Sequence, residues 1–204
     1  MTITNKKGPA MRLAAFAPLL LLAALGGCIN LGLGTSKSPP AMMTLTPDSA
    51  PVDGSTMTGK SDSALSVVEP DTTAKLAVLR VPVTVDATHV AYLKGALWVE
   101  RPTRLFQHLL AETLRARGKH LVVEGNGGTH SPLLSGRLID FGYDAPTQAV
   151  VVRFDAVRQS PDGTIETRRF EASVAQIGPT AAAVSPALNQ AANQVAKAVA
   201  DWVN

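Results

Sequence analysis

QAVVVRFDAVRQSPDGTIETRRFEASVAQ, residues 148–176, sets two alternating runs around Ser160-Pro161-Asp162-Gly163-Thr164. A three-residue loop, Pro161-Asp162-Gly163, suits a type I turn followed by a left-handed residue. Proline presets φ, and glycine accepts a positive φ without steric cost. Ser160 then faces Thr164. This register sets Phe154 against Phe170, Val152 against Ala172 and Val150 against Val174 on one apolar face. The other face pairs Arg153 with Glu171 and Asp155 with Arg169, and sets Val157 beside Thr167. A two-residue Asp162-Gly163 loop would put Phe154 against Glu171 and mix the faces. Because a slip of one residue reverses every side chain, the three-residue loop is the predicted one. A long antiparallel hairpin with one apolar face needs a cover.

The flanking sequence supplies one. Upstream, LLSGRLIDFGYD (133–144) alternates and reads as a third strand, and HLVVE (120–124) as another. Before that, Pro102 opens PTRLFQHLLAETLRARG, with Leu105, Phe106, Leu109, Leu110 and Leu114 at helical spacing and Gly118 just past the end. Downstream, Ser185 is the expected N-cap and Pro186 the expected first residue of a helix. Its apolar stripe is Leu188, Ala191, Ala192, Val195, Val199, Trp202 and Val203. LAVLRVPV (76–83) reads as a strand, and HVAYLKGALWVE (89–100) as two short strands or one bent one. Met42 to Thr46 reads as a short strand. Residues 47–74, rich in Pro, Ser, Thr, Gly and Asp, read as a flexible insertion. The fold class is α+β: a mostly antiparallel sheet with two main helices packed on one face, spanning residues 42–204.

Ahead of that domain, Lys6, Lys7 and Arg12 precede an almost unbroken apolar run, Leu13 to Leu25, and then Gly26-Gly27-Cys28. This is the layout of a secretory signal peptide over residues 1–27. The run is short for a membrane span, which needs about 20 residues. Cys28 is the only cysteine. One thiol makes no internal disulfide, and it makes no cysteine-based zinc site without several other ligands. Leu25-Gly26-Gly27-Cys28 resembles the lipobox of bacterial lipoprotein precursors, in which the cysteine is acylated and becomes a lipid anchor. The alternatives are an ordinary signal peptide with a chance cysteine, or a buried structural cysteine. Ile29 after the anchor, in place of aspartate, resembles an outer-membrane address with the domain facing the periplasm. Residues 28–41 then form a flexible tether.

The formal net charge of +3 belongs to the whole chain. Cleavage before Cys28 removes Lys6, Lys7 and Arg12 and no acidic residue, so the remaining chain is formally neutral. A nucleic-acid partner, which would need a basic stripe, is not expected.

Catalytic signals are weak. His89, His108, His120 and His130 are scattered without metal-ligand spacing, so no metal site is expected. Gly125, Gly127 and Gly128 follow a strand but open no helix, which leaves nothing to hold phosphate. Ser135-Gly136 lacks the context of a nucleophile elbow. No catalytic residue and no cofactor are expected. Trp98 and Trp202 read as core before partner anchors, and the Leu105-Phe106-Leu109-Leu110 stripe as core before lipid groove.

Several marks in a fixed order resemble a known family, the ABC-type transport auxiliary lipoproteins of Gram-negative bacteria. They are the lipobox, LAVLRVPVTVDATHVAYL, the tryptophan before the proline-initiated helix in LWVERPTRLFQHLLAETL, LLSGRLIDFGYD, the RF…RRFEA hairpin, and a closing alanine-rich helix with Asp201-Trp202. Met42-Met43 stands where members usually carry paired aromatics, and residues 47–74 are longer than usual. The resemblance implies a non-enzymatic lipoprotein that assists a lipid-transport system containing mammalian-cell-entry (MCE) domains, the paraquat-inducible kind included. Its implied partners are an MCE-type periplasmic protein and its ABC transporter, with the membrane held through palmitate-type acylation of Cys28 and homo-oligomerisation left open. The alternative function is an assembly factor or chaperone for an outer-membrane protein or glycolipid. A periplasmic hydrolase ranks third, for want of a nucleophile constellation.

Overall fold

The computed structural model describes residues 1, 2, 4, 41–126 and 131–203. Its elements, in chain order, are β1 (Leu65–Val67), β2 (Asp71–Thr72), β3 (Arg80–Thr84), β4 (Val90–Leu97), α1 (Pro102–Arg117), β5 (Val122–Glu124), β6 (Leu133–Asp144), β7 (Ala149–Gln159), β8 (Ile165–Val174) and α2 (Ala181–Val203).

The β7–β8 hairpin has the expected register along its whole length, from Val150 facing Val174 to Gln159 facing Ile165. Its loop closes through Gly163 N–H to Ser160 O at 2.9 Å, with Gly163 at φ 87°, a conformation that costs glycine nothing. On the other side β7 pairs antiparallel with all of β6. One extra residue, Ile139, bulges out between Leu138 and Asp140. The bulge switches the parity of β6. Leu134 and Leu138 before it and Phe141 and Tyr143 after it all reach the same core.

β6 is the spine of the sheet. Its second edge takes three short parallel pieces in turn: β1 at Leu133–Leu134, β2 at Arg137–Leu138 and β3 at Tyr143–Asp144. β5 adds outside β1, and β4 outside β3. The long ladders are antiparallel and the joins to β1, β2 and β3 are brief, so the fold is α+β with a mostly antiparallel eight-stranded sheet.

Both helices cover one face and each other. Phe106 of α1 meets Phe141 and Phe154 edge-on, with ring centroids 6.2 and 5.2 Å apart, and Trp202 of α2 meets Phe170 at 5.6 Å. Trp98 lies fully buried 5.4 Å from Phe141, as core. Pro102 starts α1 and Gly118 caps it, as expected. Pro40–Asn204 is one compact unit.

Four expectations change. Residues 47–74 do not form one structureless insertion. Ala64 to Val67 are buried, and β1 and β2 belong to the sheet, because a short apolar patch inside polar company finds a strand edge on β6. Met42–Thr46 contributes a single parallel bridge, Met43 to Trp98. β3 begins at Arg80, not Leu76. Leu76 is instead buried in the turn ahead of it. The last helix starts at Ala181, ahead of Ser185, with Pro186 inside it. Thr180 supplies the cap: its Oγ1 accepts the Ala183 N–H at 3.3 Å and its carbonyl accepts that of Val184 at 2.9 Å. Residues 89–100 settle as one bent strand, β4, bulged against β3 near Gly95.

The polar stretch before β1 is pinned to α2. Asn189 and Asn193 stand one helical turn apart. Asn189 Oδ1 accepts the Thr46 N–H at 2.8 Å, and Asn193 Oδ1 accepts the Asp48 N–H at 2.8 Å. Asn193 Nδ2 donates to Thr46 O at 2.9 Å. The two side-chain amides stand in for the peptide groups of a missing strand.

Candidate functional site

With both helices on one face, the other face of β6–β8 is open among the described residues, and it carries the charged positions of the hairpin. The charges run as a ladder. Lys75 Nζ meets Asp140 Oδ1 at 2.6 Å, Arg153 bonds the other Asp140 oxygen, and Arg153 Nε reaches Glu171 Oε2 at 2.7 Å. Beside it Arg169 grips Asp155 through two parallel bonds of 2.6 and 2.7 Å. Arg169 holds the Asp155 carboxyl below the usual carboxylate range, chiefly by hydrogen bonding. The bond to Glu171 raises the Arg153 pKa in the same way. A shallow hollow of about 270 Å³ opens on this face between β3 and β7, lined by Lys75, Pro82, Asp140, Gly142, Val151 and Arg153. Gly142 forms part of its floor because a Cβ there would run into the Pro82 carbonyl.

Cys28, the signal segment apart from residues 1, 2 and 4, the tether before Ala41, Gly127, Gly128 and His130 lie outside the described residues. The three described histidines are not brought together. His89 sits in the β3–β4 turn, His108 on α1 bonds Glu124 of β5, and His120 follows α1. Among the described residues no cluster of His, Cys, Asp or Glu could hold a metal ion.

The β3–β4 turn does place a hydroxyl, an imidazole and a carboxylate together, a grouping the sequence reading missed. Thr88 Oγ1 lies 3.1 Å and Asp86 Oδ2 2.9 Å from His89 Nδ1. Both use the same ring nitrogen, whereas a catalytic triad needs the acid on one nitrogen and the nucleophile on the other. Asp86 also accepts the backbone N–H groups of Thr88 and His89, at 2.8 and 2.9 Å. Those bonds, the Thr88 N–H first, hold its pKa down. The grouping is a turn that fixes the β3–β4 connection.

Glu124 joins α1 to β5. It accepts from His108 and from Arg115, the latter at 2.9 Å, while Arg115 also bonds Glu112 at 2.6 Å. Burial works against the Arg115 charge, and the two carboxylates outweigh it and raise its pKa. Among the described residues β8 is bonded to β7 alone and forms an edge of the sheet.

The family model described as ABC-type transport auxiliary lipoprotein component matches residues 44–200, which takes in every element of this fold except the last residues of α2. The chain belongs to that family. A Xanthomonas campestris protein of family DUF330 has the same fold. Its TM-score is 0.65 at 20 % identity, covering 80 % of this chain and 94 % of that one. An uncharacterized protein of known crystal structure aligns with a TM-score of 0.63 at 17 % identity, covering 70 % and 93 %. The PelC dodecamer from Paraburkholderia phytofirmans reaches a TM-score of only 0.41 at 15 % identity, over 76 % of this chain and 96 % of that one. No curated protein matches this auxiliary lipoprotein.

Proposed function

We propose that this auxiliary lipoprotein is cleaved before Cys28, acylated on that residue, and held in the outer membrane facing the periplasm. There it serves an MCE-type intermembrane lipid transport system and its ABC transporter. Residues 1–27 are the signal peptide, and 28–41 the tether on which the domain hangs. The observation that carries the reading is the family match over residues 44–200 standing behind Leu25-Gly26-Gly27-Cys28. Several acyl chains on one cysteine, at about 0.8 kcal/mol per buried CH₂, anchor far more firmly than a single myristoyl chain.

The role is one of contact, not catalysis. The open face offers fixed, mutually paired charges, which suit recognition of a polar partner surface. The edge of β8, unpaired among the described residues, offers a backbone row to which a second copy can add.

Metabolic labelling with a palmitate analogue tests the anchor. The wild type takes up label, while Cys28→Ala stays blank, keeps its leader and leaves the outer-membrane fraction. Equal labelling of both proteins would sink the reading. Crosslinking from membranes followed by affinity capture tests the partner, and should recover an MCE-domain protein or the transporter with it.

A further inference from the structure

The open face changes chemistry at the end where the chain enters the fold. Met43 bridges Trp98 in parallel, with its N–H on Leu97 O at 2.7 Å and its carbonyl accepting the Val99 N–H at 2.9 Å. Met43 and Trp98 are buried, so alternation turns Met42, Leu97 and Val99 to the opposite, open face. These three side chains are 50 %, 37 % and 49 % exposed. Arg80 faces Leu97 across the ladder and stacks over Tyr92, its guanidinium 4.5 Å from the ring centre. Lys94 projects from the β4 bulge, exposed. Among the described residues neither cation has a carboxylate within ion-pair distance. Glu100 pairs with Arg104 at 3.5 Å and Glu69 with Arg101 at 3.6 Å.

We infer that this patch seats the domain on the surface of the bilayer that holds its anchor, with Met42, Leu97 and Val99 in the interfacial region and Arg80 and Lys94 on anionic headgroups. The inference rests on the reading of Cys28 as the lipidated residue. Two observations single out a lipid surface. The first is where the chain enters: Met42 belongs to the patch and also closes the tether. Residues 29–41, at about 3.3–3.6 Å each, span at most roughly 45 Å, so no part of the domain is tied more closely to the bilayer. A tether that short gives an effective concentration on the order of millimolar, and a patch too small to hold a free protein is then enough. The second is composition. Aliphatic side chains flanked by unpaired Arg and Lys match a lipid interface with anionic headgroups, where long cationic stems reach past the apolar layer.

Methionine oxidation reads the contact on the native chain. Met42 is 50 % exposed in the patch, Met57 is 42 % exposed away from it, and Met43 is 7 % exposed. The acylated protein is reconstituted in phosphatidylethanolamine–phosphatidylglycerol vesicles and treated with hydrogen peroxide, and flotation with the vesicles reports the anchor separately. Sulfoxide formation at Met42 should slow roughly threefold or more relative to the protein in solution, with Met57 unchanged, because oxidation follows solvent access. Leu97→Asp with Val99→Asp should float as before and lose that protection, and phosphatidylcholine vesicles should protect less. Flotation with Met42 oxidised at its solution rate would overturn the seating and leave the anchor standing. Failure to float would overturn the anchor. The seating is then decided by the same methionine ratio on the chain coupled through the Cys28 thiol to a maleimide-bearing lipid.

Discussion

Asn193→Ala should release the segment that crosses α2 while leaving the sheet intact. Asn193 is 6 % exposed, and its side chain makes two bonds to that segment, from Asp48 N–H at 2.8 Å and to Thr46 O at 2.9 Å. Each is worth about 0.5–1.5 kcal/mol net, and the freed backbone groups at this part-buried seam add a desolvation cost. The sum is about 2 kcal/mol, and at about 1.4 kcal/mol per decade the segment should open roughly thirtyfold more often. Amide exchange read residue by residue is the assay. Asp48 should exchange about thirtyfold faster, while Val152 and Phe154 in β7 keep their protection, as expected of a local opening. Asn193→Asp adds a check on mechanism. The carboxylate still accepts from Asp48 but repels the Thr46 carbonyl, so this variant should regain protection as acid protonates it and restores a donor. Unchanged Asp48 exchange in the alanine variant, or equal acceleration throughout β7, would refute the reasoning.

Gly136→Ala should cost about 3 kcal/mol or more in urea unfolding. A Cβ there would run into the Asp155 carbonyl and lie 2.8 Å from the Phe154 ring, at φ 150°. A loss below about 1 kcal/mol would show that β6 can shift. Asp155→Asn should lose at most about 1 kcal/mol, because its carboxylate and Arg169 are 37 % and 62 % exposed. Asp155 has its pKa lowered by folding, so its contribution is present above the unfolded aspartate value. It is lost as pH falls through the folded one. The gap between wild type and variant should therefore close below about pH 4, and a gap that widened in acid would contradict the pairing.

What the sequence announced locally was legible. The hairpin register followed from Pro161-Asp162-Gly163 and from two faces that would otherwise mix, and α1 from Pro102 and Gly118. What depended on distant partners was not. β1 is three residues of Leu65-Ser66-Val67 in a polar stretch, and only the free edge of β6, far along the chain, makes it a strand. Thr180 outcompeted Ser185 as a cap because alanines 181–183 are strong helix formers that continue the helix backward, even though Pro186 in the second turn has no N–H to give the Ala182 carbonyl. Asn189 and Asn193 read as ordinary polar helix positions, since nothing local says that another segment lies across them. The Arg153–Glu171 and Asp155–Arg169 pairs of the open face were readable from register alone, whereas Lys75 and Asp140 joined them only through the fold, and Thr88, His89 and Asp86 met only through the turn.

The two ends of the open face differ in what water does for them. Along β6–β8, Lys75, Arg153 and Arg169 each lie against a carboxylate, so that ladder is satisfied internally and its exposure needs no further partner. At the other end the bulge in β4 reverses the alternation, so that Ala96 and Trp98 enter the core while Leu97 and Val99 leave it. No rearrangement of those side chains within the sheet can bury them, because the inward positions are filled by Trp98 and Met43. Exposed aliphatic surface beside Arg80 and Lys94, which have no carboxylate partner among the described residues, is the part of this face that gains most from contact, and Met42 within it directly follows the proposed tether.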